Sequence, residues 1–127
     1  MKVLIAEDDS ILLKTIELKL KKEGYEVITT RDGREAIEKI DISGADLVIT
    51  DIMMPFASGL EIVARLRTSN QSKRIPIIML TSLEQEKTVM EAFALGADDY
   101  MTKPFSLNEL AARVKKLFRP PSPAAAF

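Results

Sequence analysis

The chain has no cysteine and no histidine among its 127 residues. The first absence excludes disulfides and thiolate-bound metals. The second removes the usual zinc ligand and the imidazole that activates a serine or cysteine nucleophile. Excess positive charge is missing too: the formal net charge is −1, so no overall field holds nucleic acid. The basic clusters are short (Lys19, Lys21 and Lys22; Arg65 and Arg67; Lys73 and Arg74; Lys115 and Lys116) and read as solvated helix faces or turns. Long apolar runs are also absent. The first, Val3 to Ala6, stops at Glu7-Asp8-Asp9, too short for a signal peptide or a membrane span. The expectation is a soluble, cytoplasmic chain.

What is present is a composition of 46% hydrophobic and 29% charged residues, which suits one ordered domain with a single core. Four short apolar runs stand out: Val3-Leu4-Ile5-Ala6, Tyr25 to Thr29, Leu47 to Thr50 and Pro76 to Leu80, with a weaker one at Asp99 to Thr102. The first, third and fourth are nearly continuous in Val, Ile and Leu, the pattern of parallel strands covered on both faces. Helical spacing fills the intervals, with Leu12, Ile16 and Leu20 in the first, Ile62, Val63 and Leu66 in the third, and Leu107, Leu110, Ala111, Val114 and Leu117 in the last. Asp32 and Glu35, Ser58 and Glu61, Ser82 and Gln85, and Ser106 and Glu109 have capping-box spacing. Gly24, Gly44 and Gly96 follow helical stretches, where a left-handed cap favours glycine. The reading is β-α five times over, an α/β fold with a parallel sheet between two helical layers. Residues 1–118 form the domain, and the Pro- and Ala-rich stretch 119–127 reads as a linker stub or tail.

In a parallel sheet every strand's C-terminal end lies on one edge, and ligands bind there where the strand order reverses. The first strand ends in Glu7-Asp8-Asp9, the third in Asp51, the fourth in Thr81-Ser82 and the fifth in Lys103-Pro104. Taken singly, each residue has an ordinary explanation. Asp8 or Asp9 caps a helix, Asp51 opens a turn before Pro55, Thr81 bonds backbone, Ser82 is an N-cap, Lys103 is a loop lysine and Tyr100 a half-buried aromatic. Their joint placement at four strand ends outweighs these. Glu7, Asp8 and Asp51 gather three negative charges against one positive charge on Lys103. Two unit charges ~4 Å apart interact by about 4 kcal/mol at an effective dielectric of 20, so an uncompensated cluster resists full ionisation. Mg²⁺ suits one or two carboxylates, several waters and a substrate phosphate, and its charge neutralises the cluster. A carboxylate can then act as nucleophile towards a phosphoryl group, with Lys103 and the Thr81 hydroxyl at the equatorial oxygens.

On these residues the chain resembles the receiver domain of two-component response regulators, from residue 2 to about 118. The motifs that carry the likeness are Val3 to Asp9, Asp51-Ile52-Met53-Met54-Pro55 with Gly59, Pro76 to Thr81, and Gly96 to Phe105. The resemblance implies a three-layer flavodoxin-like (βα)5 fold with strand order 2-1-3-4-5. It makes Asp51 the phosphoacceptor, with Asp8, Asp51 and the Met53 carbonyl as Mg²⁺ ligands and Glu7 acting through water. Lys103 contacts the phosphoryl group, and Thr81 with Tyr100 forms the switch. The Lys103-Pro104 bond resembles the family's cis peptide, and Asp9 is left to cap the first helix. Two positions depart from the commoner pattern: Glu7 stands for an aspartate and Ser82 for an alanine.

The segment Gly96 to Phe118 is most similar to receivers that precede a winged-helix DNA-binding domain. That likeness implies a phosphorylation-dependent homodimer, with Asp98, Asp99, Glu109 and Arg113 on its face, although Val89 stands where a basic partner for Glu109 would fall. The implied partners are a sensor histidine kinase and a C-terminal effector domain absent from this chain. Neither nucleic acid nor membrane is expected to bind the domain directly, and it is expected not to be a conventional enzyme. A stand-alone interaction module is one alternative. A Mg²⁺-dependent phosphatase of the haloacid dehalogenase type wants a second acid two residues after the nucleophile, where Met53 stands. A flavodoxin-like cofactor binder needs a hydroxyl- and glycine-rich loop where Glu7-Asp8-Asp9 would repel a flavin phosphate.

Overall fold

Strand and helix alternate without exception from β1 (Lys2–Ala6) to α5 (Leu107–Phe118) in the computed structural model, which describes residues 1–69, 72, 74–82 and 86–118. Between them run α1 (Ser10–Lys22), β2 (Glu26–Thr30), α2 (Gly33–Ser43), β3 (Leu47–Asp51), α3 (Gly59–Thr68), β4 (Ile77–Thr81), α4 (Glu86–Leu95) and β5 (Asp99–Thr102). The five strands form one parallel sheet in the order β2-β1-β3-β4-β5. Lys73, Gln85 (half of the capping pair expected with Ser82) and the tail 119–127 lie outside the described residues.

Strand periodicity sorts the core. Val3 and Ile5 of β1 face α1 and α5 together with Leu47, Ile49, Ile78, Leu80 and Met101. Leu4 and Ala6 face the other way, with Val48, Ile77 and Met79, and pack against α2, α3 and α4. The sorting of helices follows from constant crossover hand. Only the β1-to-β2 connection runs outward in one direction, so α1 covers the face opposite α2 to α4. All of β3 and β4 is buried, as their nearly continuous apolar sequences lead one to expect. In α1 the buried residues are Leu13, Ile16 and Leu20; Leu12, placed in the stripe by its spacing, is only partly buried against that cluster.

The helix starts follow the sequence signals. Asp9 caps α1, its Oδ1 accepting from the N–H groups of Ile11 (3.0 Å) and Leu12 (3.1 Å). Asp32 accepts from the Glu35 N–H at 2.9 Å, and Glu35 accepts in return from Arg31 at 3.3 Å, one residue before the cap. Ser58 and Ser106 cap through the N–H groups of Glu61 (3.3 Å) and Glu109 (3.2 Å). Gly24, Gly44 and Gly96 all take positive φ.

A candidate phosphoacceptor and metal site

Because the strands are parallel and in register, their C-terminal ends bring chemistry to one edge. Glu7 follows β1, Asp51 and Thr81 are the last residues of β3 and β4, and Lys103 follows β5. Glu7, Asp51 and Thr81 are buried there, while Asp8 is exposed at the rim. Glycine keeps the pit compact: a Cβ on Gly59 would collide with the Asp51 carbonyl, so α3 begins against the strand end.

Lys103 is the electrostatic centre. Its ammonium lies 2.5 Å from Glu7 Oε1 and 2.7 Å from Asp51 Oδ2. Its N–H donates to the Thr81 carbonyl at 2.7 Å, which fixes the start of the loop, and the Lys103-Pro104 peptide is cis. The Glu7 Oε2 accepts from the Asp9 N–H at 3.1 Å, and the Asp51 Oδ1 from the Met53 N–H at 3.3 Å. Burial is the largest influence on Glu7 and carries its carboxyl from the ordinary 4.5 up to about 7, with Asp51 adding repulsion and Lys103 and the Asp9 N–H opposing. Lys103 is desolvated as well, yet its bonds to Asp51 and Glu7 outweigh that and raise it above the usual lysine value.

This arrangement fits a hard divalent cation. Glu7, Asp8 and Asp51 each offer a carboxylate oxygen, all within 4.8 Å of one another, an all-oxygen donor set of the kind magnesium takes. The two oxygens of the buried Glu7 carboxylate meet the Lys103 ammonium and the Asp9 N–H, and Asp51 shares that same ammonium.

The other expected residues fall in two places. Tyr100 is 37% exposed and packs edge-on against Phe93 of α4, with ring centroids 5.5 Å apart. Arg113 of α5 holds Asp99 at 2.7 Å and Glu109 at 2.8 Å within the same chain. Asp98 is set apart from them. Its Oδ2 accepts from Arg67 and from the Ile77 N–H, both at 2.7 Å. Arg67 also donates to the carbonyls of Gly96 (2.9 Å) and Ile75 (2.6 Å). That clasp joins the end of α3 to the start of β4 and to the α4–β5 turn, and sequence reading missed it. Arg67 stood in the sequence only as half of a basic pair.

A five-stranded parallel sheet in this order, with an acidic pit and a lysine at its C-terminal edge, is the arrangement that the receiver-domain resemblance implies. The chain belongs to the response regulator receiver domain family, which matches residues 3–115; its members act as phosphorylation-dependent switches in two-component systems. Over 118 residues, 93% of this chain, it is 41% identical to the Bacillus subtilis alkaline phosphatase synthesis transcriptional regulatory protein PhoP, covering 48% of that protein. It is 42% identical over 122 residues to the Rhizobium meliloti phosphate regulon transcriptional regulatory protein PhoB, covering 96% of this chain and 54% of that one. The chain thus spans about half the length of these curated relatives. Among solved structures, the Francisella response regulator 1452 receiver domain is 36% identical with a TM-score of 0.85, covering 91% of this chain and 94% of that one. The Vibrio cholerae chemotaxis response regulator CheY4 is 34% identical with a TM-score of 0.86, covering 92% and 98%. Among the described residues no helix is long and apolar enough to cross a membrane.

Proposed function

We propose that Asp51 is the phosphoacceptor, that Mg²⁺ is held by Asp8, Asp51 and the Met53 carbonyl with Glu7 acting through water, and that a sensor histidine kinase is the donor. The observation that carries this reading is the Lys103 ammonium bridging two buried carboxylates, one of them at the end of β3. An Asp51 oxygen attacks phosphorus, the phosphorus–nitrogen bond of the donor breaks, and the electron pair leaves on the imidazole. Bound magnesium would neutralise charge on the transferring oxygens. Lys103 turns from the Asp51 carboxylate to the new phosphoryl oxygens, which keep it paired. The Met53 N–H holds the other carboxylate oxygen in place.

Phosphorylation adds about −1.5 to −2 charge at Asp51. The Thr81 hydroxyl is drawn to it, space opens behind β4, and Tyr100 leaves Phe93 for that space. The α4–β5–α5 surface changes and is read by a second copy through Asp99, Glu109 and Arg113, or by an output domain following residues 1–118, with 119–127 as the linker. Asp98 joins that face only by leaving Arg67. This reading implies a cytoplasmic domain without DNA affinity of its own, promoting its own phosphoryl transfer rather than turning over a separate substrate. Intact-mass spectrometry with acetyl phosphate tests it. One phosphoryl adduct is expected with magnesium and none with chelator or in Asp51→Asn; an adduct retained by Asp51→Asn would refute it.

A further inference from the structure

The loop between β3 and α3 is tied to the start of α2 in a way the metal and phosphoryl chemistry leaves unexplained. Phe56 has φ of 71°, the left-handed region that a bulky side chain disfavours, and it is 70% exposed, so core burial does not offset the strain. Its ring meets Arg34. The guanidinium carbon lies 4.4 Å from the centroid of the Phe56 ring, a cation–π contact. One residue earlier, the Gly33 N–H donates to the Pro55 carbonyl at 3.3 Å. The backbones approach so closely there that a Cβ on Gly33 would collide with Ala57. The Ala57 N–H donates to the Pro55 carbonyl at 2.9 Å and closes the turn.

This braced segment continues directly into Met53, whose N–H holds Asp51 Oδ1. Strain kept at an exposed residue marks a position where the surrounding structure over-determines the backbone, and such positions gather at functional sites. We propose that Arg34 and Phe56 form a positioning brace that sets the path of the Asp51-to-Ala57 loop and so the geometry of Asp51 and Met53 toward a divalent cation. The proposal rests on the assignment of Asp51 and Met53 above. Neither Arg34 nor Phe56 touches the cation or the phosphoryl group; both act through the loop.

The test uses the whole chain with Arg34→Ala, Arg34→Lys and Phe56→Gly. Magnesium is titrated by calorimetry, and Met53 amide exchange is followed by nuclear magnetic resonance in the metal-free protein. Arg34→Ala and Phe56→Gly are each expected to weaken magnesium binding about two- to fivefold, the most that an exposed cation–π contact can transmit through the loop. Both should also speed Met53 exchange. Phe56→Gly should do so without lowering the melting temperature, because it removes the strained residue. Arg34→Lys keeps a cation over the ring and should restore most of the parent's affinity. Parent-like affinity and exchange in both Arg34→Ala and Phe56→Gly would overturn the brace, and so would a lysine variant no better than alanine. A parent chain that acetyl phosphate fails to label would instead overturn the Asp51 reading, since Met53 exchange reports the brace without phosphorylation.

Discussion

Glu7→Gln isolates the physical cost built into the pit. Glu7 is fully buried and its carboxyl is carried from 4.5 to about 7, chiefly by that burial. The folded protein therefore holds a proton that the unfolded chain has released between those values. A folded-state pKa above the unfolded one contributes stability that is complete below pH 4.5 and is lost as pH rises through about 7. At about 1.4 kcal/mol per pH unit, the metal-free parent loses roughly 3 kcal/mol across that window. Glutamine keeps the shape and cannot ionise. Measured by urea unfolding in chelator with far-ultraviolet circular dichroism, Glu7→Gln should gain roughly 3 kcal/mol on the parent between about pH 4.5 and about pH 8. Saturating magnesium should shrink that gain, because the cation stabilises the ionised parent. A stability difference that stays flat with pH would refute the reasoning and show that Glu7 ionises as a solvated glutamate does.

Four further outcomes follow from the same geometry. Asp8→Ala should weaken magnesium binding by more than about tenfold in calorimetry. Lys103→Ala should not weaken it, yet should cost the metal-free protein roughly 3 kcal/mol at neutral pH, mainly by leaving the buried Asp51 carboxylate without its cation while Glu7 keeps its proton; equal losses of magnesium affinity would contradict these roles. Thr81→Ala should still be phosphorylated but lose most of the dimerisation that beryllofluoride induces in the parent by light scattering; full dimerisation would leave Thr81 a packing residue only. Arg67→Ala should lower unfolding stability by about 2–3 kcal/mol by removing its bonds to Gly96, Ile75 and Asp98, and an unchanged urea midpoint would show the clasp to be idle.

Much of this molecule was legible before any coordinates. The sheet was readable because β1, β3 and β4 are almost wholly buried and so carry nearly continuous Val, Ile and Leu. The pit was readable because parallel strands deliver their ends to one edge, so Glu7, Asp8, Asp51, Thr81 and Lys103 converge by topology alone. Less visible were features set by long-range approach. Spacing favoured Leu12 where Leu13 is the buried residue, since both lie within the apolar arc of α1. The Arg67–Asp98 clasp spans 31 positions and exists only because the turn at Gly96 meets the end of α3; it draws Asp98 away from the face shared by Asp99, Glu109 and Arg113. The positive φ of Phe56 had no local signal at all, because the residue that usually announces such a conformation is glycine.

The central claim is that Asp51, and no other carboxylate in the pit, takes the phosphoryl group. Borohydride reduces an acyl phosphate to the alcohol, so a phosphorylated aspartate becomes homoserine and keeps its place in the chain. Peptide mass mapping after acetyl phosphate, magnesium and borohydride should find homoserine at Asp51 alone. Homoserine at Asp8 or Asp9, or a glutamate-derived alcohol at Glu7, with Asp51 unmodified, would contradict the account.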